Sequence, residues 1–181
     1  MAESGSAFAI AADGTYLFVR DEGAGEPVLF IPGLGYASWC WSKQMQLLSG
    51  AARVLAMDNR GAGRSVKPPG PYSIDPMAED AFAVLTQRGA APAHVIGASM
   101  GGYIAMTLAK HHPEAVRSLV LIATTIGGQG SRPVPVETLR PGRAPRTSVR
   151  RGTPERRCPS RSRPAGSTTI QWSSKSSSPT G

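Results

Sequence analysis

A Gly-x-Ser-x-Gly sequence in the middle of the chain constrains its fold more than any other feature. Gly97, Ser99 and Gly101 stand between a β-branched run that begins at His94 and a helix-forming run rich in Ala, Met and Leu. This placement predicts a sharp strand-to-helix turn with the serine at its tip. Glycines are needed there because the serine backbone is strained and the flanking chains approach closely. The sequence therefore predicts an exposed serine hydroxyl beside the N-terminus of a helix.

The predicted turn places a hydroxyl next to backbone groups that attract negative charge. The first turn of a helix carries unpaired N–H groups and the positive end of the helix dipole, and both suit a negatively charged oxygen. The spacing alone is weakly specific, since a glycine-rich turn with an incidental serine also produces it. The strand before this turn and the helix after it favour the interpretation that the serine is reactive.

The rest of the first two thirds of the chain predicts strands that alternate with helices. Strands are predicted at 8–11, 16–20, 27–31, 53–57, from 94 to the serine turn, and at 118–123. Helices are predicted after an N-cap at Ser38, from 73 to about 88, and from 100 to about 111. The first two strands are joined through Asp13-Gly14, a hairpin dipeptide, whereas several later strands are apolar on both faces. This order predicts an α/β fold with an N-terminal hairpin and a mostly parallel sheet covered by helices on both faces.

The strong positive charge belongs to the C-terminal part of the chain. The whole chain has a net charge of +8, yet residues 1–128 carry 9 Lys and Arg against 10 Asp and Glu. Residues 129–181 carry 11 against 2. A basic balance can indicate nucleic acid or a membrane surface as a partner, but the near-neutral first part gives no such indication. We therefore predict a folded part at 1–128 and a separate basic segment at 129–181.

Cysteine usage and hydropathy predict a cytoplasmic protein without a disulfide framework or a metal site. The two cysteines, Cys40 and Cys158, do not form a disulfide framework or a metal-binding pattern. The first eight residues are polar and lack the basic region of a secretory signal. Apolar runs such as 119–123 are too short to cross a bilayer.

Four blocks of sequence resemble the N-terminal half of α/β-hydrolase-fold serine hydrolases, over residues from about 8 to 128. The blocks are FIPGLG at 30–35, DNRGAGRS at 58–65, GASMGG at 97–102 and HPEAVRSLVL at 112–121. They are most similar to the branch of esterases and 3-oxoadipate enol-lactonases. The resemblance implies a small ester or lactone substrate, no cofactor, and a nucleophile elbow whose Ser99 is acylated and then released by water.

The resemblance also implies an oxyanion hole. One donor is the N–H of Met100, directly after the nucleophile, and the other is the N–H of Leu34 in the loop after the third strand. Gly33 and Gly35 flank Leu34, as expected where backbone approaches a substrate; the alternative is a plain strand-ending turn.

The other polar residues of these blocks have structural roles in our interpretation. Asp58, Arg60 and Ser65 are predicted to hold the loop after the fourth strand rather than to touch a reacting bond. Haloalkane dehalogenases and epoxide hydrolases share the fold but have an aspartate at the elbow, so Ser99 argues against both.

The catalytic acid and histidine that the family places after the nucleophile are not found. No histidine follows His112 and no aspartate follows Asp80, and no glutamate after Ser99 is singled out. His94 lies about 16 Å from the serine along an extended strand. His111 and His112 lie about 18 Å or more away along a helix, whereas a base must come within about 3 Å. We therefore predict that this chain is inactive by itself and resembles a truncated hydrolase that lacks the cap and the last two strands.

Residues 129–181 contain eight prolines, ten serines and ten arginines and have no periodic apolar pattern, which predicts disorder. Such a composition is typical of a GC-rich coding sequence read out of frame, with a break between about Gly128 and Arg140. The alternative is a non-enzymatic α/β fragment whose basic segment binds nucleic acid or an acidic partner. In either case the strand at 118–123 would form an exposed apolar edge, which predicts self-association.

Overall fold

The computed structural model describes residues 5–125, which form a six-stranded sheet with helices on both faces. The predicted basic segment 129–181, with Cys158, lies outside the described residues. The strands are β1 (Gly5–Ile10), β2 (Tyr16–Glu22), β3 (Pro27–Ile31), β4 (Arg53–Met57), β5 (Ala93–Ala98) and β6 (Val116–Ile122). The helices are α1 (Ser42–Leu48), α2 (Ile74–Gln87) and α3 (Met100–His111), and two 3₁₀-helices cover Ser38–Trp41 and Pro113–Ala115. None of the helices in this part of the chain has the length and apolar character needed to cross a membrane.

The sheet combines an antiparallel hairpin with four parallel strands. Its strand order is β1-β2-β4-β3-β5-β6. β1 and β2 form an antiparallel hairpin, and β2 pairs antiparallel with β4. The strands β4, β3, β5 and β6 run parallel to one another. This arrangement confirms the α/β fold with an N-terminal hairpin. After β3 the chain goes to β4 on one side and later returns to β5 on the other, so the connections diverge at the carboxyl end of β3.

Two cores hold the helices against the sheet. The larger core lies between the sheet and the pair α2 and α3, and the smaller core lies between β3, β4 and the side chains of Trp41 and Met45. Alternate residues of β3 contribute to each core: Leu29 and Ile31 to the larger, Val28 and Phe30 to the smaller. An apolar run without polar alternation is therefore required in this strand, because both faces are buried.

β6 differs from the inner strands because its apolar side chains remain exposed. The relative accessibilities are 36% for Leu119, 46% for Val120, 41% for Leu121 and 43% for Ile122. β6 pairs with β5 on one side, and no other strand within residues 5–125 pairs with its outer edge. The predicted apolar edge is thus present in the described part of the chain, on a strand that begins two residues earlier than predicted.

The predicted N-cap at Ser38 is wrong. The residue begins a 3₁₀-helix whose N-cap position is Ala37, and α1 begins after Trp41, with no side-chain cap at either start. The backbone N–H of Ser38 instead donates a 2.6 Å hydrogen bond to Oδ1 of Asp58, a residue twenty positions away. A distant carboxylate therefore satisfies an N–H group that a local cap would otherwise satisfy.

The N-terminal hairpin is longer than its apolar residues predict. β1 begins at Gly5 and β2 continues to Glu22, because Gly5 pairs opposite Asp21 and the last residues of β2 pair with β4. Backbone pairing, which does not depend on side-chain polarity, extends both strands.

A buried carboxylate joins the hairpin to β4 and α2. Asp21 is 4% exposed and accepts hydrogen bonds from Arg53, at 2.7 and 3.0 Å, and from Arg88, at 2.9 and 3.1 Å. Burial raises the pKa of the Asp21 carboxyl, but the hydrogen bonds and charges of the two arginines outweigh burial and lower it below its ordinary value. The folded state therefore favours the ionised form of this group.

This ion pair should make the fold sensitive to acid. The contribution of Asp21 to the free energy of unfolding is fully present above its unfolded-state pKa of about 3.9. It is lost as the pH falls through the lower pKa of the folded state. We expect Asp21→Asn to reduce the free energy of unfolding at pH 7 by about 2 kcal/mol and to flatten its decrease below pH 5. Urea unfolding across a pH series measures both effects. Glu26→Gln, which removes an exposed ion pair with Arg117, should cost less than about 0.5 kcal/mol, and an equal loss in both variants would contradict the prediction.

Candidate active site

Ser99 occupies a strained turn between β5 and α3. Its backbone dihedrals are φ 52° and ψ −118°, a region that residues with a side chain rarely adopt. Its N–H donates a 2.9 Å hydrogen bond to the carbonyl of Ile122 at the end of β6. Its carbonyl accepts hydrogen bonds of 2.9 Å from the N–H of Gly102 and from Oγ1 of Thr124. Contacts from α3 and from the segment after β6 thus hold the turn in its strained form, and the serine is exposed.

Three glycines around the turn have no space for a side chain. A Cβ at Gly97 would overlap the carbonyl of Gly101, and a Cβ at Gly101 would overlap the carbonyl of Ile31. A Cβ at Gly102 would lie 2.5 Å from Cγ2 of Thr124. These contacts agree with the close chain-to-chain approach that the spacing of the glycines predicts.

The loop after β3 lies directly against the serine. A Cβ built on Gly33 would be 3.2 Å from Cβ and 3.8 Å from Oγ of Ser99. The N–H of Tyr36 closes a turn onto the carbonyl of Gly33 at 3.2 Å, and Gly35 has φ +76°, which favours glycine. Leu34, at the tip of this turn, has an exposed side chain.

The sheet topology explains why this loop and the serine meet. β3 and β5 are adjacent parallel strands with Ile31 paired opposite Gly97, so their carboxyl ends lie at the same edge. In parallel α/β sheets a crevice forms at this edge where successive connections diverge to opposite sides. Here that place is the end of β3, and it brings together the loop of Leu34, the turn of Ser99 and the start of α3 at Met100.

Sequence reasoning missed two residues that support the site. Asn59 is 2% exposed, and its Nδ2 donates a 3.0 Å hydrogen bond to the carbonyl of Pro32, just before Gly33. Its Oδ1 is buried and has no hydrogen-bond partner among residues 5–125. The signal for Asn59 was its position two residues after β4, which ends beside β3. No pattern in the sequence indicated that the hydroxyl of Thr124 binds the Ser99 carbonyl.

The polar residues of the loop after β4 hold that loop, as the sequence interpretation proposed. The Asp58 carboxylate accepts backbone hydrogen bonds from Ser38, at 2.6 Å, and Arg64, at 2.8 Å. Oγ of Ser65 donates to the carbonyl of Asp58 at 2.6 Å and accepts from the N–H of Phe18 at 2.9 Å. Both polar side chains are buried and paired with backbone, so their contacts organise the loop.

Arg60 joins this loop to α2 and to the hairpin turn. Its Nε and Nη2 each donate to the Asp80 carboxylate at 2.6 Å, and its Nη1 donates to Asp13 at 2.8 Å. Burial raises the pKa of Asp80, although the guanidinium opposes this shift. Hydrogen bonds from Thr15, and then from Arg60, lower the pKa of Asp13 to about 2. The guanidinium therefore binds two carboxylates, and its role is structural.

The three histidines of the chain all lie away from Ser99. His94 is near the start of β5, whereas the serine follows the end of that strand, and its Nδ1 lies 2.7 Å from Oγ of Ser118. His111 and His112 end α3 and contact Glu79 at 3.5 and 3.0 Å. No histidine within residues 5–125 is therefore available as a base for the serine.

The same part of the chain offers no metal site, and its one described cysteine is not activated. Within residues 5–125 no group of three His, Cys, Asp or Glu side chains could hold a metal ion. Cys40 is half-buried in the smaller core, and burial raises the pKa of its thiol, which disfavours the reactive thiolate.

Comparison with known proteins supports the fold. The family model described as alpha/beta hydrolase fold matches residues 26–179. RutD of Caulobacter segnis, a protein named for carbamate hydrolysis, is 42% identical over 99 residues, which are 54% of this chain and 37% of that protein. The non-heme haloperoxidase of Rhodococcus erythropolis is 37% identical over 117 residues, 64% of this chain and 43% of that protein.

A solved structure gives the same result. The esterase EaEST of Exiguobacterium antarcticum superposes with a TM-score of 0.63 and 32% identity, over 66% of this chain and 45% of the esterase. This chain thus spans less than half the length of the curated relatives to which it is similar. The family model covers most of the chain, and the strand order and the solved relative agree with it. The chain belongs to the α/β-hydrolase fold family.

Proposed function

We propose that Ser99 is the nucleophile of a hydrolase that acts on esters or lactones through an acyl-enzyme, and that this chain carries the nucleophile half of its site. The observation that supports the proposal most is the strained, exposed turn of Ser99, packed against Gly33 at the end of β3. Strain of this kind persists where surrounding contacts maintain it, and a nucleophile at a strand-to-helix turn is one use of such strain.

In the proposed reaction, Oγ of Ser99 attacks the carbonyl carbon of the substrate while a base removes its proton. The N–H groups of Met100 and Leu34 bind the negatively charged oxygen that forms. Collapse of this intermediate expels the alcohol and leaves an ester on the serine, which water then hydrolyses. Asn59 acts on this step indirectly, since it holds the Pro32 carbonyl just before the oxyanion loop.

The base and its orienting acid are missing from the described residues, so the chain alone should be a poor catalyst. A serine without a base is almost fully protonated at neutral pH. In subtilisin, loss of the catalytic histidine lowers turnover on the order of a million-fold. Without a complete triad, oxyanion stabilisation and substrate binding still accelerate the reaction about a thousandfold over water.

We infer that the catalytic histidine comes from sequence that this chain does not contain, because the three histidines of the chain all lie away from Ser99. The proposal that residues 129–181 are an out-of-frame reading is tested by the coding DNA. An alternative frame beyond about codon 128 should encode a strand, then an acidic residue, then a histidine.

A fluorophosphonate probe tests the role of Ser99 directly. The comparison is between the 181-residue chain and a hybrid in which residues 1–125 are joined, in structural register, to the C-terminal part of the Exiguobacterium antarcticum esterase. We expect stoichiometric labelling and hydrolysis of an aryl ester by the hybrid, and neither by the chain alone. Labelling of the chain alone that Ser99→Ala abolishes would show that a base exists within it. A folded hybrid that does not react would overturn the assignment of Ser99.

A further inference from the structure

The outer edge of β6 is unpaired and apolar in the described part of the chain. Four consecutive apolar residues, 119–122, are each more than a third exposed, and the backbone on this side has no strand partner within residues 5–125. Natural edge strands are commonly protected by lysine, proline, a bulge or a covering element. Val116–Ile122 contains one charged residue, Arg117, and no proline. This edge can therefore accept another β-strand.

The residue pattern of β6 matches a second copy of itself. In an antiparallel pairing centred on Leu119, that residue faces its own counterpart, Val116 faces Ile122, and Ser118 faces Val120. Apolar side chains thus meet apolar side chains at the centre and at both ends. Arg117 faces Leu121, so no like charges lie directly opposite. A two-fold axis through the centre makes the contact closed, because each copy uses the same edge.

The charge of the folded part does not oppose the approach of a second copy to this edge. Residues 5–125 contain nine Lys and Arg and nine Asp and Glu, so the folded part has no net charge that would keep copies apart. Arg117 already forms an ion pair with Glu26 at 3.3 Å. The opposing factor is the basic segment, which gives the whole chain a net charge of +8.

We propose that two copies of this chain pair through β6, antiparallel about Leu119, and form one continuous sheet across a closed dimer. The pairing satisfies the outer backbone groups of both strands and covers part of the exposed apolar side chains. The other free edge, β1, is a weaker candidate because its first residues are Gly5 and Ser6. A contact between β1 of one copy and β6 of the next would also leave an open chain of molecules rather than a dimer.

Disulfide crosslinking tests the register. In the full chain with Cys40 and Cys158 replaced by serine, Leu119→Cys should form a covalent dimer on mild oxidation. Directly opposed residues in an antiparallel pair have Cα atoms about 4.5–5.5 Å apart, which a disulfide can bridge. Val116→Cys alone should not crosslink, since its two copies would be about 20 Å apart, whereas a mixture with Ile122→Cys should.

Leu47→Cys is the matched control for this experiment. The residue is 80% exposed on α1, away from the sheet edge, so random collision or aggregation would oxidise it at least as readily as position 119. Equal crosslinking at positions 47 and 119 would overturn the proposal in favour of non-specific association.

Sedimentation of the full chain measures the strength of the pairing. Val120→Lys should raise the dissociation constant at least about tenfold, because the two lysines lie diagonally across the pair within about 8 Å. Leu47→Lys and Ile10→Lys, on α1 and β1, should leave the dissociation constant unchanged. The wild-type dimer should tighten as salt rises, because salt screens the repulsion between two copies of charge +8.

Each alternative has its own outcome. A monomer at every concentration and salt would overturn the proposal and indicate that the chain's own residues beyond 125 cover the edge. Loss of association in Ile10→Lys would overturn it in favour of contacts between β1 and β6. If Val120→Lys does not fold, hydrogen exchange of the wild-type chain decides: amides of 116–122 should become more protected as concentration rises, and unchanged exchange would contradict the pairing.

Discussion

Ser99→Ala should abolish the esterase activity of the hybrid described above. The substitution removes the only atom proposed to form the acyl bond, and loss of a triad nucleophile in subtilisin lowers turnover on the order of a million-fold. We expect a decrease in kcat of about 10⁴-fold or more, with the remainder due to oxyanion stabilisation and substrate binding. Initial rates on an aryl ester, with circular dichroism to confirm folding, measure the change.

Ser118→Ala is the matched control for the nucleophile. Ser118 is also exposed, but it lies near the start of β6 and its hydroxyl contacts His94 at 2.7 Å. This Ser–His contact is at the opposite end of the sheet from Ser99, so we expect the hybrid to keep its activity within about twofold. If Ser118→Ala removed the activity and Ser99→Ala did not, the reactive serine would be Ser118, near the start of β6. That result would contradict our assignment of the site.

Gly97→Ala should destabilise the fold strongly, although it adds only one methyl group. The added Cβ would overlap the carbonyl of Gly101, and both residues belong to the backbone of the serine turn. The turn cannot shift without breaking the hydrogen bonds that join Ser99 to Ile122 and Thr124. We expect the free energy of unfolding to fall by about 3 kcal/mol or more, which is a large part of the stability of a small domain. Urea or thermal unfolding measures the loss.

Gly50→Ala adds the same methyl group in open space. No heavy atom lies within 4 Å of the Cβ position at Gly50, and its backbone does not have a positive φ. The change in stability should remain within about 0.5 kcal/mol. Similar losses of stability in both variants would mean that the close contacts at the serine turn do not exclude a side chain at position 97.

Both predictions concern one strained turn, and they separate its two requirements. Ser99 supplies the hydroxyl, and its replacement leaves the contacts of the turn intact. Gly97 supplies space, and its replacement leaves the hydroxyl in the chain but displaces the backbone that presents it. A Gly97→Ala hybrid that folds should therefore lose turnover as well, because Oγ and the N–H of Met100 depend on the same backbone.

The local sequence was sufficient to predict the elements that depend only on neighbouring residues. β3, β4 and α3 have the predicted bounds, since an unbroken apolar run, or a run of helix formers ended by His112-Pro113, carries the information within a few neighbouring residues. The turn at Ser99 was predictable for a related reason: glycines at both sides are a steric requirement of the turn itself.

Tertiary structure decided everything that depends on distant residues. The 3₁₀-helix at Ser38–Trp41 begins where it does because Asp58 accepts the Ser38 N–H, and the loop before Leu34 is held by Asn59 from the next strand of the sheet. The carbonyl of Ser99 is bound by Thr124, twenty-five residues later. Such contacts need the strand order first, and strand order follows from how whole faces are buried together. The residue periodicity of one segment does not indicate which other segment it will pack against.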